Sequence, residues 1–253
     1  MCNILKAKNE LIYKTGIKLG TKGKDVKKVQ EWLCFHGIGL VTDGDFGRAT
    51  KYALNEFQEN NNLDATGRLN QETFNLLIEP AVKAFNIPSS RASLQSTVAR
   101  IANQHCKLKP REIGGDNKGP WVRLYMDNHE GRDYPWCAGF VSKIVMQACK
   151  SKEVPLPIKQ TYSCDVLAMD AKNKSRFISE SKIRKDKSLV KPGMIFLYRK
   201  SSNDWIHTGI VKKAYEKVFI SIEGNTNDGG DREGREVLTR VRGYKRKDFI
   251  LLN

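Results

Sequence analysis

The spacing of apolar residues changes once along this chain, and that change limits the folds open to it. Up to about residue 191, the patterned segments repeat apolar residues at helical spacing, as Val98, Ile101 and Ala102 do. Beyond it, apolar residues fall in short runs between turn residues. These runs predict strands over 194–198, 206–211, 218–222, 237–241 and 249–252. Helices followed by strands indicate an α+β domain.

The amino-terminal part predicts three short helices joined by glycine turns. The first spans 24–35 and the second spans 46–60, each with apolar residues on one face. The third opens at Asn70, a residue type that caps helices well. The turns before the second and third helices are alike, because DGDFGRAT at 43–50 is echoed by TGRLNQET at 66–73. This similarity is compatible with an internal duplication but does not by itself establish one.

Residues 17–78 resemble a known binding domain. The runs GTKGKDVKKVQEWL and TDGDFGRATKYALNEFQENNNLDATGRLNQETFNLL are similar to the three-helix peptidoglycan-binding domain that accompanies many cell-wall hydrolases. The resemblance implies that the groove near Asp43, Gly44 and Phe46 contacts glycan or stem peptide. Phe46 is also a candidate core residue, and the sequence leaves both roles open. We expect peptidoglycan as the partner.

A second domain follows a short linker. Residues 79–93 contain two prolines and several small polar residues, a composition typical of a connecting segment. The predicted organisation is a peptidoglycan-binding domain over 1–80, a linker over 81–93 and a second domain over 94–253.

The positive charge of the chain lies mainly in the second domain. Residues 94–253 carry 31 Lys and Arg against 18 Asp and Glu, and the whole chain has a formal net charge of +16. Such a protein attracts polyanions, including the acidic polymers of a bacterial envelope. The basic residues are scattered and form no zinc-finger, RNP or recognition-helix pattern, so we expect no specific nucleic-acid partner.

Composition also predicts several absences. No apolar run approaches the roughly 18 residues that a membrane span needs. The six cysteines form no C-x-x-C pair and the four histidines give no zinc spacing, so we expect no metal, no cofactor and mostly free thiols. The first residues lack the features of a secretory signal, which predicts synthesis in the cytoplasm without a signal peptide. We expect a monomer.

Cys137 is the candidate nucleophile. It begins a predicted helix within YPWCAGFV, at 134–141. The unpaired N–H groups and the positive dipole end of a helix start favour thiolate over thiol. A cysteine taken alone is more commonly a buried structural residue, and catalysis requires a base beside it. Tyr134 and Trp136 either shape the cleft or pack, and Cys164 either lies near the site, pairs with Cys149 or is a buried thiol.

Two predicted strands supply a base. WIHTGIV at 205–211 and KVFISIE at 217–223 predict a hairpin in which His207 lies opposite Glu223. Asn225 shares the face of Glu223, so two acceptors are expected to hold the imidazole. Gly209 and Ser221 are small, which would leave room for a substrate beside His207, although a tight turn or simple packing explains the glycine equally well.

Four short motifs then resemble one enzyme family. PWCAGFV, KPGMIFL, WIHTGIV and SIEGNTN are similar, in this order, to the CHAP family of cysteine, histidine-dependent amidohydrolases and peptidases, over about 94–250. The resemblance implies a papain-like α+β fold with an antiparallel sheet. It also implies that Cys137 is the nucleophile, His207 the general base and acid, Glu223 the residue that orients it and Asn225 a further polar site position.

Together these features predict a two-domain peptidoglycan hydrolase, in which a small all-α three-helix bundle precedes the α+β domain. The expected reaction is hydrolysis of an amide bond through a cysteine thioester, as an N-acetylmuramoyl-L-alanine amidase or an endopeptidase. The expected place of action is the cell wall or periplasm, after holin-type release or injection. The alternative is a non-catalytic peptidoglycan-binding adaptor.

Overall fold

The computed structural model describes residues 7–86, 91–226 and 234–252. Within these ranges the helices are α1 (Lys24–Phe35), α2 (Arg48–Asn60), α3 (Gln71–Phe85), α4 (Leu94–Lys107), α5 (Pro120–Tyr125), α6 (Cys137–Lys152), α7 (Cys164–Asn173) and α8 (Glu180–Lys185), with 3₁₀ turns at Lys8–Leu11 and Lys187–Leu189. The strands are β1 (Phe177–Ile178), β2 (Ile195–Ser201), β3 (Asp204–Ala214), β4 (Val218–Thr226), β5 (Glu236–Gly243) and β6 (Lys247–Ile250). None of the described helices combines the length and apolarity that a membrane crossing requires.

The described residues divide into two compact units. A helical unit holds 7–83 and 111–131, and a sheet unit holds the remaining described residues. The helical unit confirms the three predicted amino-terminal helices. The cap at Asn70 is also confirmed, because its side-chain oxygen accepts a hydrogen bond from the backbone N–H of Thr73 at 2.7 Å.

The predicted linker begins inside a helix. Helix α3 passes through Pro80 and continues to Phe85, although the sequence predicts a connecting segment over 81–93. A proline inside a helix costs about 3 kcal/mol. The side chains of Ala81, Ala84 and Phe85 are nevertheless almost fully buried, and their burial offsets that cost. The remainder of the predicted linker lies partly outside the described residues, which resume at residue 91.

Two buried glutamines hold the two similar turns in the same way. The amide of Gln30 donates to the side chains of Asp43 and Thr50 and to the carbonyl of Asp45, and its oxygen accepts from the N–H of Gly44. The second turn repeats this pattern. There Gln58 donates to Thr66, Thr73 and the carbonyl of Arg68, and accepts from the N–H of Gly67. The repeated network supports the internal duplication that the sequence leaves open.

Replacing Gln30 with alanine is expected to lower the free energy of unfolding of the helical unit by about 2–3 kcal/mol, because it leaves the buried N–H of Gly44 without its acceptor and removes the hydrogen bonds to Asp43, Asp45 and Thr50. Urea unfolding followed by circular dichroism measures this loss. Gln71 is a matched control, since its exposed side chain donates a solvent-exposed hydrogen bond to Asn75, and Gln71→Ala should change stability by less than about 0.5 kcal/mol. Equal losses in both variants would contradict the assigned role of Gln30.

Residues 111–131 belong to the helical unit, whereas the sequence places them in the second domain. The ring of Trp121 packs against those of Trp32 and Phe35, with centroids 6.2 and 5.7 Å apart. Buried Arg123 forms ion pairs with Glu10, Glu31 and Glu130. Because both residues are buried among partners from the amino-terminal part, the segment cannot be separated from that unit without exposing an aromatic cluster and unpairing a buried charge.

The sheet unit is α+β, as the sequence predicts. Its six strands have the order β1-β6-β2-β3-β4-β5, and every neighbouring pair is antiparallel. All five predicted strands are present, while β1 and the helices α7 and α8 were not predicted. Helix α6, which carries Cys137, packs against β3 and β4. This packing brings the predicted nucleophile and the strands that carry the predicted base into one unit.

Candidate active site

Cys137 is the first residue of α6, as predicted. Its side chain is buried, with 5% of its surface exposed. Trp136 precedes it as the helix cap residue and forms no side-chain cap, so the first N–H groups of the helix are not satisfied by a capping side chain. A hydrogen bond from the backbone N–H of Ala138 adds to the larger effect of Cys164 in lowering the pKa of the thiol. The helix start therefore favours thiolate, as its position in the sequence implies.

The hairpin that carries His207 and Glu223 has a different register from the predicted one. Ile210 pairs with Ile222, and a bulge follows in β3 between Val211 and Lys213. The predicted pairing of His207 with Glu223 is therefore wrong by two residues. Because side chains alternate with a period of two, a shift of two keeps both residues on the same face of the sheet. The two side chains still meet, along a diagonal.

Two glycines make this arrangement sterically possible. A Cβ atom at Gly209 would lie 2.7 Å from Cγ of Glu223. This glycine therefore makes room for the side chain of Glu223, whereas the sequence suggested room for a substrate. A Cβ atom at Gly224 would lie 2.7 Å from Cβ of Phe140 and 2.9 Å from the ring of Trp136. The backbone of β4 at Gly224 therefore packs against the first turn of α6 too closely to leave room for a side chain.

Glu223 holds His207 and is itself held by two further residues. Its Oε2 lies 2.8 Å from Nε2 of His207. Arg242 donates to both carboxylate oxygens, at 2.8 and 2.6 Å, and the hydroxyl of Ser221 donates to Oε1. Burial raises the pKa of Glu223, but Arg242 and His207 outweigh it and lower the value to about 2. The carboxylate is therefore charged and fixed in orientation.

Cys137 and His207 interact, and each changes the pKa of the other. A hydrogen bond from Cys164 is the largest influence on the Cys137 thiol, and with His207 it holds the pKa well below the ordinary value despite burial. Burial lowers the pKa of His207, but its interactions with Cys137 and Glu223 raise the value to about 9. These interactions favour a negative sulfur and a positive imidazole.

The second imidazole nitrogen is available to the sulfur. Since Nε2 of His207 is bound to Glu223, Nδ1 is the atom left for Cys137, and Nδ1 has no well-formed hydrogen bond to any described residue. Catalytic contacts are often long in a protein without substrate and tighten when substrate binds. The geometry therefore presents a charged thiolate–imidazolium pair oriented by a carboxylate, which is the arrangement required for acyl transfer.

Asn225 does not hold the imidazole, and this part of the prediction is wrong. Only Glu223 accepts from His207 among the described residues. Asn225 is 1% exposed and its backbone has a φ of 55°, which breaks the alternation that would place it beside Glu223. Neither side-chain amide atom has a hydrogen-bond partner within the described ranges. The residue thus remains a polar group close to Gly224 and the start of α6.

The two aromatic residues before Cys137 differ in exposure. Tyr134 is 39% exposed, so part of its side chain lies at the surface. Trp136 is fully buried and contacts Gly224, so of the two roles left open by the sequence it packs rather than lining a surface. In the parts of the chain that the structure describes, no group of three or more His, Cys, Asp or Glu side chains could hold a metal ion.

Comparison with known proteins identifies the amino-terminal helices. The family model of the peptidoglycan binding domain matches residues 22–77. This segment is a peptidoglycan-binding domain. It contains α1, α2, both glutamine-centred turns and part of α3. A search of curated proteins finds no match to the chain.

Within the peptidoglycan-binding domain, the predicted contact residues separate into surface and core. Asp43 is exposed and lines a groove of about 410 Å³ with Leu40 and Val41. Hydrogen bonds from the N–H of Asp45 and from Gln30 lower the pKa of the Asp43 carboxyl. Gly44 is buried, and Phe46 has no exposed surface and belongs to the core. Asp43 is therefore the predicted contact residue that reaches the groove.

Sequence reasoning missed Arg242 and the role of Ser221. Ser221 lies two residues before Glu223 on the same strand, and this spacing alone could have indicated a contact on one face. Arg242 lies on β5, and its approach to Glu223 depends on the register of β4 and β5, in which Phe219 pairs with Arg242. The loop between these strands gives no register signal, so the arginine could not be assigned.

Proposed function

We propose that the sheet unit is a papain-like, CHAP-type thiol amidohydrolase that cleaves an amide bond of peptidoglycan. The observation that carries this proposal is the convergence of Cys137, His207 and Glu223, in which a buried carboxylate holds an imidazolium beside a thiolate. A structural cysteine does not require a depressed pKa, and a structural histidine does not require a raised one. Perturbed pKa values in opposite directions on adjacent groups are typical of catalytic sites.

The chemistry follows from the charges of the pair. The thiolate of Cys137 attacks the amide carbonyl, and the N–H groups at the start of α6 stabilise the oxyanion that forms. His207 then gives its proton to the leaving amine, and a thioester remains on the sulfur. The neutral imidazole takes a proton from water, which hydrolyses the thioester and restores the thiolate. Glu223 keeps the imidazole in one orientation throughout, and Arg242 and Ser221 fix the carboxylate.

The peptidoglycan-binding domain supports the choice of substrate. A binding module on the same chain as the catalytic groups raises the effective concentration of scissile bonds once it is bound to the polymer. The excess of basic residues over 94–253 would add attraction to an anionic envelope. The proposed place of action is therefore the cell wall, and the proposed bond is either the muramoyl-alanine amide or a peptide bond of the stem or cross-bridge.

Purified sacculi test the proposal directly. The full chain is incubated with sacculi, and the soluble fraction is analysed by mass spectrometry for muropeptide fragments that carry a new amino terminus. We expect fragment release together with loss of turbidity, and the identity of the new terminus assigns the bond. Sedimentation of the protein with intact sacculi, with no soluble fragments, would refute the proposed reaction and favour the non-catalytic adaptor.

A further inference from the structure

Cys164 lies beside the proposed nucleophile. Its sulfur is 3.9 Å from the sulfur of Cys137, and the two side chains are 7% and 5% exposed. Each cysteine is the first residue of its helix, α7 and α6 respectively. The starts of two helices therefore meet at one pair of sulfurs. The proposed hydrolysis uses only one of these sulfurs as a nucleophile.

The position of Cys164 is fixed by contacts on both sides. Before it, the hydroxyl of Ser142 on α6 donates to the carbonyl of Thr161 at 2.7 Å, and the N–H of Thr161 donates back at 3.2 Å. After it, the carboxylate of Asp165 accepts from the N–H of Trp205 at 2.7 Å. The segment that carries Cys164 is therefore attached to both the nucleophile helix and the strand of His207, and the two sulfurs are held as neighbours.

We propose that Cys137 and Cys164 form a peroxide-sensitive redox pair that reversibly switches off the nucleophile. Hydrogen peroxide is the oxidant. The thiolate of Cys137 attacks one peroxide oxygen, the O–O bond breaks, and the sulfur becomes a sulfenic acid while the other oxygen leaves as hydroxide and is protonated to water. The thiol of Cys164 then attacks the Cys137 sulfur, a disulfide forms, and the sulfenic oxygen leaves as a second water molecule.

The geometry makes Cys164 the resolving thiol. A disulfide has an S–S length of about 2.05 Å, so the sulfurs must approach by about 1.9 Å from their separation of 3.9 Å. Cys149, on the same helix as Cys137, is a contrasting thiol, because burial raises its pKa to about 11 and keeps it protonated. Without a resolving thiol, a sulfenic acid proceeds to sulfinic and sulfonic acids, which reductants do not reverse.

Peptide mapping of the peroxide-treated full chain tests the pair without any substrate. We expect a disulfide-linked peptide containing Cys137 and Cys164 that dithiothreitol reverses. In Cys164→Ser, which keeps a hydrogen-bond donor beside the sulfur, we expect irreversible sulfinic and sulfonic acid at Cys137 and at least about tenfold lower thiol recovery after dithiothreitol. Cys149→Ser is the matched control and should behave like the unmodified chain.

The proposal is overturned if the unmodified chain gives no peptide linking these two cysteines, or if Cys137 is over-oxidised as fast in it as in Cys164→Ser. The mapping of the unmodified chain remains decisive even if Cys164→Ser does not fold. Loss of fragment release on disulfide formation rests on the proposed hydrolase function, but the disulfide itself does not. A chain that forms the disulfide with peroxide but releases no fragments from sacculi in its fully reduced form would therefore refute the proposed reaction without affecting the proposed redox pair.

Discussion

Replacing Cys137 with alanine is expected to reduce fragment release from sacculi by at least about a thousandfold while leaving sedimentation with sacculi unchanged. Removal of a covalent nucleophile typically costs a factor of 10³ to 10⁶ in turnover, because the remaining groups cannot form the acyl intermediate. The peptidoglycan-binding domain at 22–77 does not contain this residue, so binding should survive. Single-turnover release of soluble fragments and a pelleting assay measure the two effects separately.

Cys149→Ala is the matched control for this prediction. Cys149 is a buried thiol on the same helix, and burial raises its pKa to about 11, so it carries no negative charge at neutral pH. Its removal should leave the rate of fragment release within about twofold, with a small loss of stability from the cavity. If the Cys137→Ala chain, shown by circular dichroism to be folded, released fragments as fast as this control, Cys137 would not be the nucleophile.

The part of the candidate site that could be predicted from sequence depends on the spacing of residues along a helix or strand and on which face of a strand each side chain occupies. A cysteine at a helix start and a histidine on an alternating strand are visible in the residue pattern itself. Next to the turn the predicted register is wrong by three residues, because the hairpin is centred between Glu216 and Lys217, and the one-residue bulge between Val211 and Lys213 reduces the difference to two at Ile210 and Ile222. The meeting of His207 and Glu223 survived the error, since an even shift preserves the face while an odd shift would have separated them.

What could not be predicted depends on contacts between distant parts of the chain. Arg242 reaches Glu223 through the pairing of β4 with β5. The choice among the alternatives left open for Cys164 depends on the hydrogen bonds that hold its segment against α6. The assignment of 111–131 to the helical unit follows from Trp121 and Arg123, whose partners lie about ninety residues earlier in the chain. The intrinsic helix and strand propensities of residues do not reflect contacts with residues so distant in sequence.

Glu223→Gln is expected to reduce fragment release by about 10²- to 10⁴-fold, because the amide cannot hold a positively charged imidazole. Without the carboxylate, one of the two interactions that offset the burial of His207 is lost, and its pKa falls from about 9. The thiolate of Cys137 loses its counterion and takes up a proton. The pH dependence of iodoacetamide alkylation at Cys137, followed by peptide mass, should therefore shift to higher pH in the variant.

Arg242→Met is the control variant that distinguishes an effect of Glu223→Gln on the reaction from an effect on stability. Glu223→Gln leaves the guanidinium of Arg242 without its buried carboxylate and should lower the free energy of unfolding by about 3 kcal/mol. Arg242→Met also removes this ion pair, but it keeps the carboxylate beside His207. We expect a loss of stability in both variants but only about a tenfold loss of fragment release in Arg242→Met. Equal losses of release in the two variants would show that Glu223 acts only through stability.

The pH dependence of the free energy of unfolding provides an independent test of the charges on Glu223 and His207. Because the pKa of Glu223 is about 2 in the folded chain, its stabilising contribution is present above about pH 4.5 and is lost as the pH falls toward 2. His207 has the opposite sign, since its pKa of about 9 lies above the unfolded value, so its contribution is present below about pH 6.5 and is lost as the pH rises through 9. The stability difference between the unmodified chain and Glu223→Gln should therefore be largest between about pH 4.5 and 6.5. A difference that does not vary with pH, measured by urea unfolding, would contradict a charged pair at this site.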